Sequence, residues 1–289
     1  MRDQFDIAEL TDALEVSRSG YYAARTRPEG PRAQSNENLL KEIKSIHSHR
    51  HTRAYGSPRM TRTLHAEGHL CSENRVARLM RSNGIRARPR KPFRPKTTQP
   101  DHAAHPSPNL LAKAGGPPTS PGCRIVSDIT YIPTAEGWLY LAVVIDLFSR
   151  VVLGWKLSES LHSDIVTGAL SRALATGLVV KGAIFHSDRG SQYSSAQTRK
   201  LLAAAGLVQS MSAKGYCYDN AFAESAFASI KNEVLPEGQC FPSRSTARTA
   251  IFDYLETFYN RRRLHSSLGY KTPTDFLNQY FQNQNPSLN

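Results

Sequence analysis

Long apolar runs are missing from this sequence of 289 residues. No stretch of about 18 consecutive apolar residues exists, which excludes a simple transmembrane helix. The opening MRDQFDIAEL lacks the apolar core of a secretory leader, so a cytoplasmic protein is expected. Cysteine is scarce. Cys71, Cys123, Cys217 and Cys240 are scattered, with no Cys-x-x-Cys pair, which argues against a disulfide framework and against a zinc ribbon. His65, His69 and Cys71, like the alternating His47, His49 and His51, lack a clean second pair of ligands, so no structural zinc is expected. There is no sustained heptad run and no glycine-rich loop of the Walker type.

Acidic residues are also few where the chain is most basic. The whole sequence carries 37 Lys and Arg against 24 Asp and Glu, a net charge of +13. Residues 51–100 hold twelve of those cations and only two acids, Glu67 and Glu73, so this window supplies +10 of the total. A mixed surface would serve solubility better. A block of one sign is the electrostatic footprint of a polyanion-binding surface, and nucleic acid is the leading partner.

Taken in order, residues 1–33 predict a helical hairpin with the outline of a helix-turn-helix, Ser17 capping its second helix. Residues 34–86 predict a helical DNA-binding domain. One helix there spans 36–50. A second is capped by Ser57, has Pro58 at its first position and ends at Gly68. A third runs from a Ser72 cap to Gly84. In this third helix Val76, Leu79 and Met80 share one side, while Arg75, Arg78 and Arg81 fall on nearly the opposite side at 100° per residue. One side packs and the other meets phosphates and base edges, as a recognition helix requires. Residues 87–121, rich in proline and basic residues, predict a linker. Its front half, with Arg88, Arg90, Lys91, Arg94 and Lys96, is suited to track a phosphate backbone or enter a minor groove.

From residue 122 the pattern turns β. CRIVSDITYIP, WLYLAVVIDLF and SRVVLGWKL read as an antiparallel meander. A helix over 163–175, the strand GAIFHSD, a helix over 195–205, the short strand GLVQSM and a long helix from Asp219 follow. The predicted class is α/β, a mixed sheet with helices on its faces over 122–235 and a helical extension over 236–289. Three acids stand out: Asp128 interrupts an apolar strand, Asp188 ends another, and Glu224 lies on the long helix, 36 positions beyond Asp188. Carboxylates gathered from distant segments suit magnesium, which prefers oxygen ligands and keeps positions open for phosphate and water. Two such ions about 4 Å apart promote in-line displacement at phosphorus. Glu224 and Lys231, seven residues apart, fall within about 20° of each other on one helix face. The lysine there is placed to read phosphate. Asp146, at the end of AVVID, competes with Asp128, and register alone does not exclude it.

The segments SDITYIPTAEGWLYLAVVIDLFSR, FHSDRGSQY and YCYDNAFAESAFASIKNE resemble the catalytic domain of insertion-sequence transposases of the retroviral-integrase superfamily. They resemble more closely the second-reading-frame (OrfB) product of the two-frame elements often called the IS-three family. YGSPRMTRTLHAEGHLCSENRVARLMRSNGI upstream and FYNRRRLHSSLGYKTPTDF downstream extend the resemblance over nearly the whole chain. It implies a five-stranded RNase H-like fold and a triad of Asp128, Asp188 and Glu224 holding two Mg2+ ions, which Mn2+ could replace. Lys231 falls on the basic position seven places past the glutamate. Ile125 and Tyr216 depart from the residues common in the family, Trp and Asn. The implied activity is 3′-end cleavage and strand transfer on double-stranded transposon ends and target DNA, by a copy-out, paste-in route. The implied assembly is at least a dimer on DNA, with an upstream-frame (OrfA) partner or fusion. Arg261, Arg262 and Arg263, with His265, are expected to touch DNA, while Tyr259, Leu268 and Tyr270 lock the tail onto the core. Two other functions fit parts of the sequence: a DNA-binding regulator without catalysis, and an RNase H-fold nuclease that cuts RNA or branched DNA without joining.

Overall fold

The computed structural model describes residues 6–26, 30–88, 107–212, 221–236 and 238–284. The segments before the β-rich region form helices α1 (Ile7–Ala13), α2 (Arg18–Thr26), α3 (Pro31–Ser48), α4 (Ser57–Ala66) and α5 (Glu73–Ser82). Gly56, not Ser57, is the N-cap of α4, and Ser57 and Pro58 occupy the first turn. Ser72 caps α5 by accepting from the Arg75 N–H at 3.3 Å, and Gly84 turns the chain away with φ +68°. Leu39, Ile43 and Ile46 of α3, Met60 and Leu64 of α4, and Val76, Leu79 and Met80 of α5 close one small core. Burying those eight apolar side chains is what holds the three helices together, since α4 and α5, at ten residues each, are too short to be stable alone.

Five strands follow the short helix α6 (Leu110–Lys113), which lies inside the expected linker. They are β1 (Arg124–Thr134), β2 (Gly137–Asp146), β3 (Val152–Ser158), β4 (Ile184–Ser187) and β5 (Val208–Met211), in sheet order β3-β2-β1-β4-β5. β1, β2 and β3 pair antiparallel, as the meander pattern predicts. β4 and β5 add in parallel, because helices connect them: α7 (Asp164–Ala175) before β4, then α8 (Ser191–Ser194) and α9 (Ala196–Ala204) before β5. This is the mixed, five-stranded RNase H-like sheet with helices on both faces.

The alternation of β1 divides the core. Ile125, with Val144 and Phe185, faces α7 and α9. Val126 and Ile132, with Val143 and Ile145, face α10 (Ala221–Val234) and α11 (Arg244–Asp253). After α11 the chain makes a π-helical turn, Tyr254–Tyr259, which directs Tyr254, Leu255, Phe258 and Tyr259 inward together. A short 3-10 turn (Ser266–Leu268) and α12 (Pro273–Gln284) finish the described chain. Tyr259 and Leu268 are buried and Tyr270 stacks under Arg62, the locking role expected of the tail's apolar members. No helix among the described residues is long and apolar enough to cross a membrane.

The helical unit docks on the sheet domain through polar anchors. Tyr55, 1% exposed, joins the α10–α11 side of the core, and its hydroxyl accepts from the Leu264 N–H at 3.3 Å. His51 reaches Asp253 at 2.8 Å and packs on Phe258 with ring centroids 4.9 Å apart. His51 is thus a packing residue, and His47 bonds the Arg86 carbonyl at 3.2 Å. His65 bonds the Cys71 carbonyl, while His69 lies beside Glu42 and Glu67.

Candidate active site

β1 and β4 are neighbours because both supply apolar residues to the central sheet, and their register decides where two of the three acids fall. The last β1–β4 pair is Val126 beside His186. Two residues further along each parallel strand come Asp128 and Asp188, abreast at the end of β4. A step of two keeps Asp128 on the face of Val126, the face covered by α10. Asp188 is the first residue past β4, and its Oδ1 accepts the Gly190 N–H at 2.9 Å in the turn leading to α8. Asp128 Oδ1 accepts its neighbour's Ile129 N–H at 2.8 Å.

The electrostatics point to the same convergence. Burial raises the Asp188 carboxyl above the usual carboxylate range, with the Gly190 N–H pulling the other way. The Tyr193 phenol is fully buried and held well above its ordinary value, first by burial and then by the negative fields of both Asp128 and Asp188. Its oxygen lies 3.1 Å from Ser127 Oγ. Lys231 is lowered to about 8 by burial, while Asp128 pulls it back upward. The two aspartates, the phenol and the ammonium therefore occupy one neighbourhood. Glu224 stands in the first turn of α10, two turns before Lys231 and on its face of the helix. The Glu224 side chain, residues 213–220 and with them Tyr216 lie outside the described residues.

Asp146 is accounted for differently. It pairs with Ile125, on the opposite face of the sheet from Asp128. It is 1% exposed, and three donors fill its carboxylate: Gly122 N–H at 2.9 Å, Ser149 N–H at 2.8 Å and Ser149 Oγ at 2.6 Å. Gly122 has φ +72°, and a side chain there would collide with the Leu178 carbonyl, so glycine is what brings this N–H to Asp146. The acid that spacing could not exclude is a turn anchor.

The donor set fits magnesium. Two carboxylates side by side, one on β1 and one just past the end of β4, with the second buried enough to resist ionisation, need positive charge beyond the single Lys231. All the donors are hard oxygens, the kind Mg2+ takes.

The expected DNA contacts divide. Arg78 and Arg81 are exposed on α5, opposite its buried face. Arg75 is half-buried and spans to α3, donating to Asn36 Oδ1 and Ser35 Oγ, both at 2.8 Å. Arg88 turns inward: its guanidinium donates to the Leu235 carbonyl and, at 2.8 Å, to that of Pro236. Arg261 and Arg262 are exposed. Arg90, Lys91, Arg94 and Lys96 lie outside the described residues.

Arg263 corrects the sequence reading. It is 2% exposed and donates to both oxygens of Glu233, Nε to Oε2 and Nη2 to Oε1, each at 2.8 Å. A buried guanidinium spent on a buried carboxylate has nothing left for a phosphate. His265 is likewise enclosed; burial and the Arg263 charge lower it to about 2, so it stays neutral. The sequence did hold a signal for this pair. Glu233 lies three residues past the core residue Ile230, on the inward side of α10, and an acid there requires a buried cation.

Comparison with known proteins agrees with this architecture. The family profile described as an integrase core domain matches residues 118–217, a second integrase core profile matches 205–273, and an HTH-like domain profile matches 34–93. The chain is 39% identical over 282 residues to the transposase InsF for insertion sequence IS3A of Escherichia coli K12, covering 96% of this chain and 95% of that one. It is also 39% identical over 273 residues to the insertion element IS600 uncharacterized 31 kDa protein of Shigella sonnei, covering 94% and 99%. Among solved structures it is similar to the simian T-cell lymphotropic virus intasome complexed with PP2A regulatory subunit B56 gamma, with TM-score 0.46, 14% identity, and 83% and 74% coverage. The HTLV-2 integrase catalytic core with magnesium gives TM-score 0.40 at 15% identity, covering 55% of this chain and 97% of that one. With that identity to InsF along nearly the whole of both sequences, the chain belongs to the insertion-sequence transposase family of IS3, within the integrase-core superfamily.

Proposed function

We propose that this protein is a DNA transposase that cleaves and joins phosphodiesters at the ends of its element, with Asp128, Asp188 and Glu224 as catalytic acids. The observation that carries this reading is the convergence of Asp128, Asp188 and Lys231 at the end of β4, with Glu224 on the same helix face as Lys231. The three carboxylates would hold two Mg2+ ions, and Mn2+ has the ligand preference to replace them. Bound there, the ions would supply charge neutralisation at the phosphate and raise the nucleophilicity of the attacking oxygen.

The chain's own residues have distinct tasks. The β1 strand fixes Asp128, and the Gly190 N–H fixes Asp188 in the turn just past β4. Lys231, charged at neutral pH, binds a non-bridging phosphate oxygen as a point charge. Arg78 and Arg81 bind the transposon end, positioning the scissile bond. In the first step water attacks phosphorus, the bond to the 3′-oxygen breaks, and a 3′-hydroxyl is freed. In the second, that hydroxyl attacks another phosphodiester; one P–O bond forms as one breaks. Bond count is conserved, so no nucleotide cofactor is required. A copy-out, paste-in sequence, a homo-oligomer of at least two chains on DNA, and an upstream-frame partner follow the family pattern.

The test is Mg2+-dependent cleavage and joining of labelled end DNA. Asp128→Asn, Asp188→Asn and Glu224→Gln are each expected to abolish both steps while leaving end binding in place. Joining that survives Asp188→Asn refutes the assignment, and cutting of RNA–DNA hybrid without joining would favour a nuclease.

A further inference from the structure

Glu233 lies nine residues beyond Glu224 on α10, 3% exposed, and the chemistry above gives it nothing to do. Three segments converge on its carboxylate. Arg263 of the tail supplies the two bonds at 2.8 Å, Tyr254 donates from the π-helical turn at 2.7 Å, and Arg59 of α4 approaches to 3.6 Å. Arg263 lies close enough to Arg59 to disfavour its charge, and Glu233 pulls that charge back. Arg53 of the helical unit and Arg88 just after it also hold the same helix end: Arg53 donates to the Leu235 carbonyl at 3.5 Å and Arg88 to those of Leu235 and Pro236, just past α10, while Asn232 Nδ2 donates to the Arg88 carbonyl at 3.4 Å.

A buried carboxylate between two guanidiniums is an inefficient way to gain stability, since apolar side chains of similar volume do as well or better. What it does provide is directional: the Arg263 and Tyr254 bonds each have one allowed geometry and fix the last turn of α10, while the Arg59 ion pair ties that turn to α4 by charge. A helix transmits that setting along its length. Lys231 is two residues away, and Glu224 is about 13 Å away at 1.5 Å per residue.

We propose that Arg59 and Glu233 form a positioning couple through which the end-binding helical unit sets α10, and with it the placement of Lys231 and Glu224 against Asp128. The proposal rests on the catalytic reading above. The test compares full-length wild type with Arg59→Met, Arg59→Lys and Asp188→Asn. Arg59→Met is expected to bind end DNA within twofold of wild type. Its joining rate, normalised to folded protein, is expected to fall at least tenfold, and its half-saturating Mg2+ concentration to rise about fivefold. Arg59→Lys is expected to recover most of both. A residue that served only to hold the fold would lower the folded fraction without moving the Mg2+ dependence. If Arg59→Met does not fold, Arg59→Lys alone must show the Mg2+ shift in a smaller degree. Wild-type joining and Mg2+ dependence in the folded variants overturn the couple. Should Asp188→Asn abolish joining while Arg59→Met matches wild type, the couple alone fails; should Asp188→Asn join, the catalytic reading fails first.

Discussion

Replacing Arg263 with Met isolates what the buried pair contributes to stability. The side chain is 2% exposed, so nearly all of the change happens out of water. Glu233 would lose two charge-assisted hydrogen bonds but keep the Tyr254 hydroxyl and the Arg59 guanidinium 3.6 Å away. Breaking a buried ion pair from one side costs roughly 3–5 kcal/mol, because the surviving charge is left uncompensated. With two partners remaining, the low end applies, about 3 kcal/mol. Unfolding entropy for a chain of 289 residues is about 0.6 kcal/mol per degree, which makes the shift about 5 °C in Tm. Glu233→Gln should cost a similar amount, since it leaves Arg263 and Arg59 facing each other. The double variant should cost less than the sum by roughly 2 kcal/mol, as residues sharing one network do. Urea and thermal unfolding followed by circular dichroism measure all four corners of the cycle. A destabilisation of Arg263→Met under about 0.5 kcal/mol, or strict additivity, would refute the reasoning and return Arg263 to the surface role the sequence suggested.

Other expectations are narrower. Asp146→Asn should lower stability by about 1–3 kcal/mol, because its amide must face one of three donors, yet leave the Mg2+ dependence of joining unchanged; loss of that dependence would make Asp146 a ligand. Arg78→Ala and Arg81→Ala should each weaken end binding and reduce the slope of log K against log salt by about one, as lost phosphate contacts do; an unchanged slope removes α5 from the interface. His265 is buried neutral, at about 2 in the fold against an ordinary 6.5. Its contribution is therefore fully present above pH 6.5 and lost as pH falls, because only the unfolded imidazole takes the proton. Stability should drop by about 1.4 kcal/mol per pH unit from this group below that point. His51, also lowered by burial, adds in the same direction. Denaturation at pH 7.5 and 5.5 measures the drop, and a His265→Asn variant with the same drop would contradict it.

Much of this architecture was legible because it follows from local pattern. The three-strand meander shows in alternation and turn residues, and the α5 faces show in the placement of Val76, Leu79 and Met80 against its arginines. The pairing of Asp128 with Asp188 came only from the family resemblance, since local pattern does not give a parallel register between segments 60 positions apart. Nor does local pattern give the role of Asp146, whose three donors come from Gly122 and Ser149, around the opposite end of the sheet from the β1–β2 turn. Arg263 misled for a related reason: in NRRRLH three adjacent arginines look alike, and only the tertiary position of Glu233 separates the buried one from its exposed neighbours. The short helix α6 within the proline-rich stretch is held by Ser210, which accepts from the N–H groups of Leu110 and Leu111, a partner about 100 residues away.

Just past α10 the carbonyls of Leu235 and Pro236 are met by Arg53 and Arg88, more than 140 positions earlier in the chain. The segment that follows the helix bearing Glu224 is thus anchored by the first third of the chain. Cutting the polypeptide between residues 88 and 107 would divide it at a seam in composition, but not at a seam in energy. The fragment beginning after the linker would keep its sheet and all three acids, and the chain just past α10 would lose the cations that hold it.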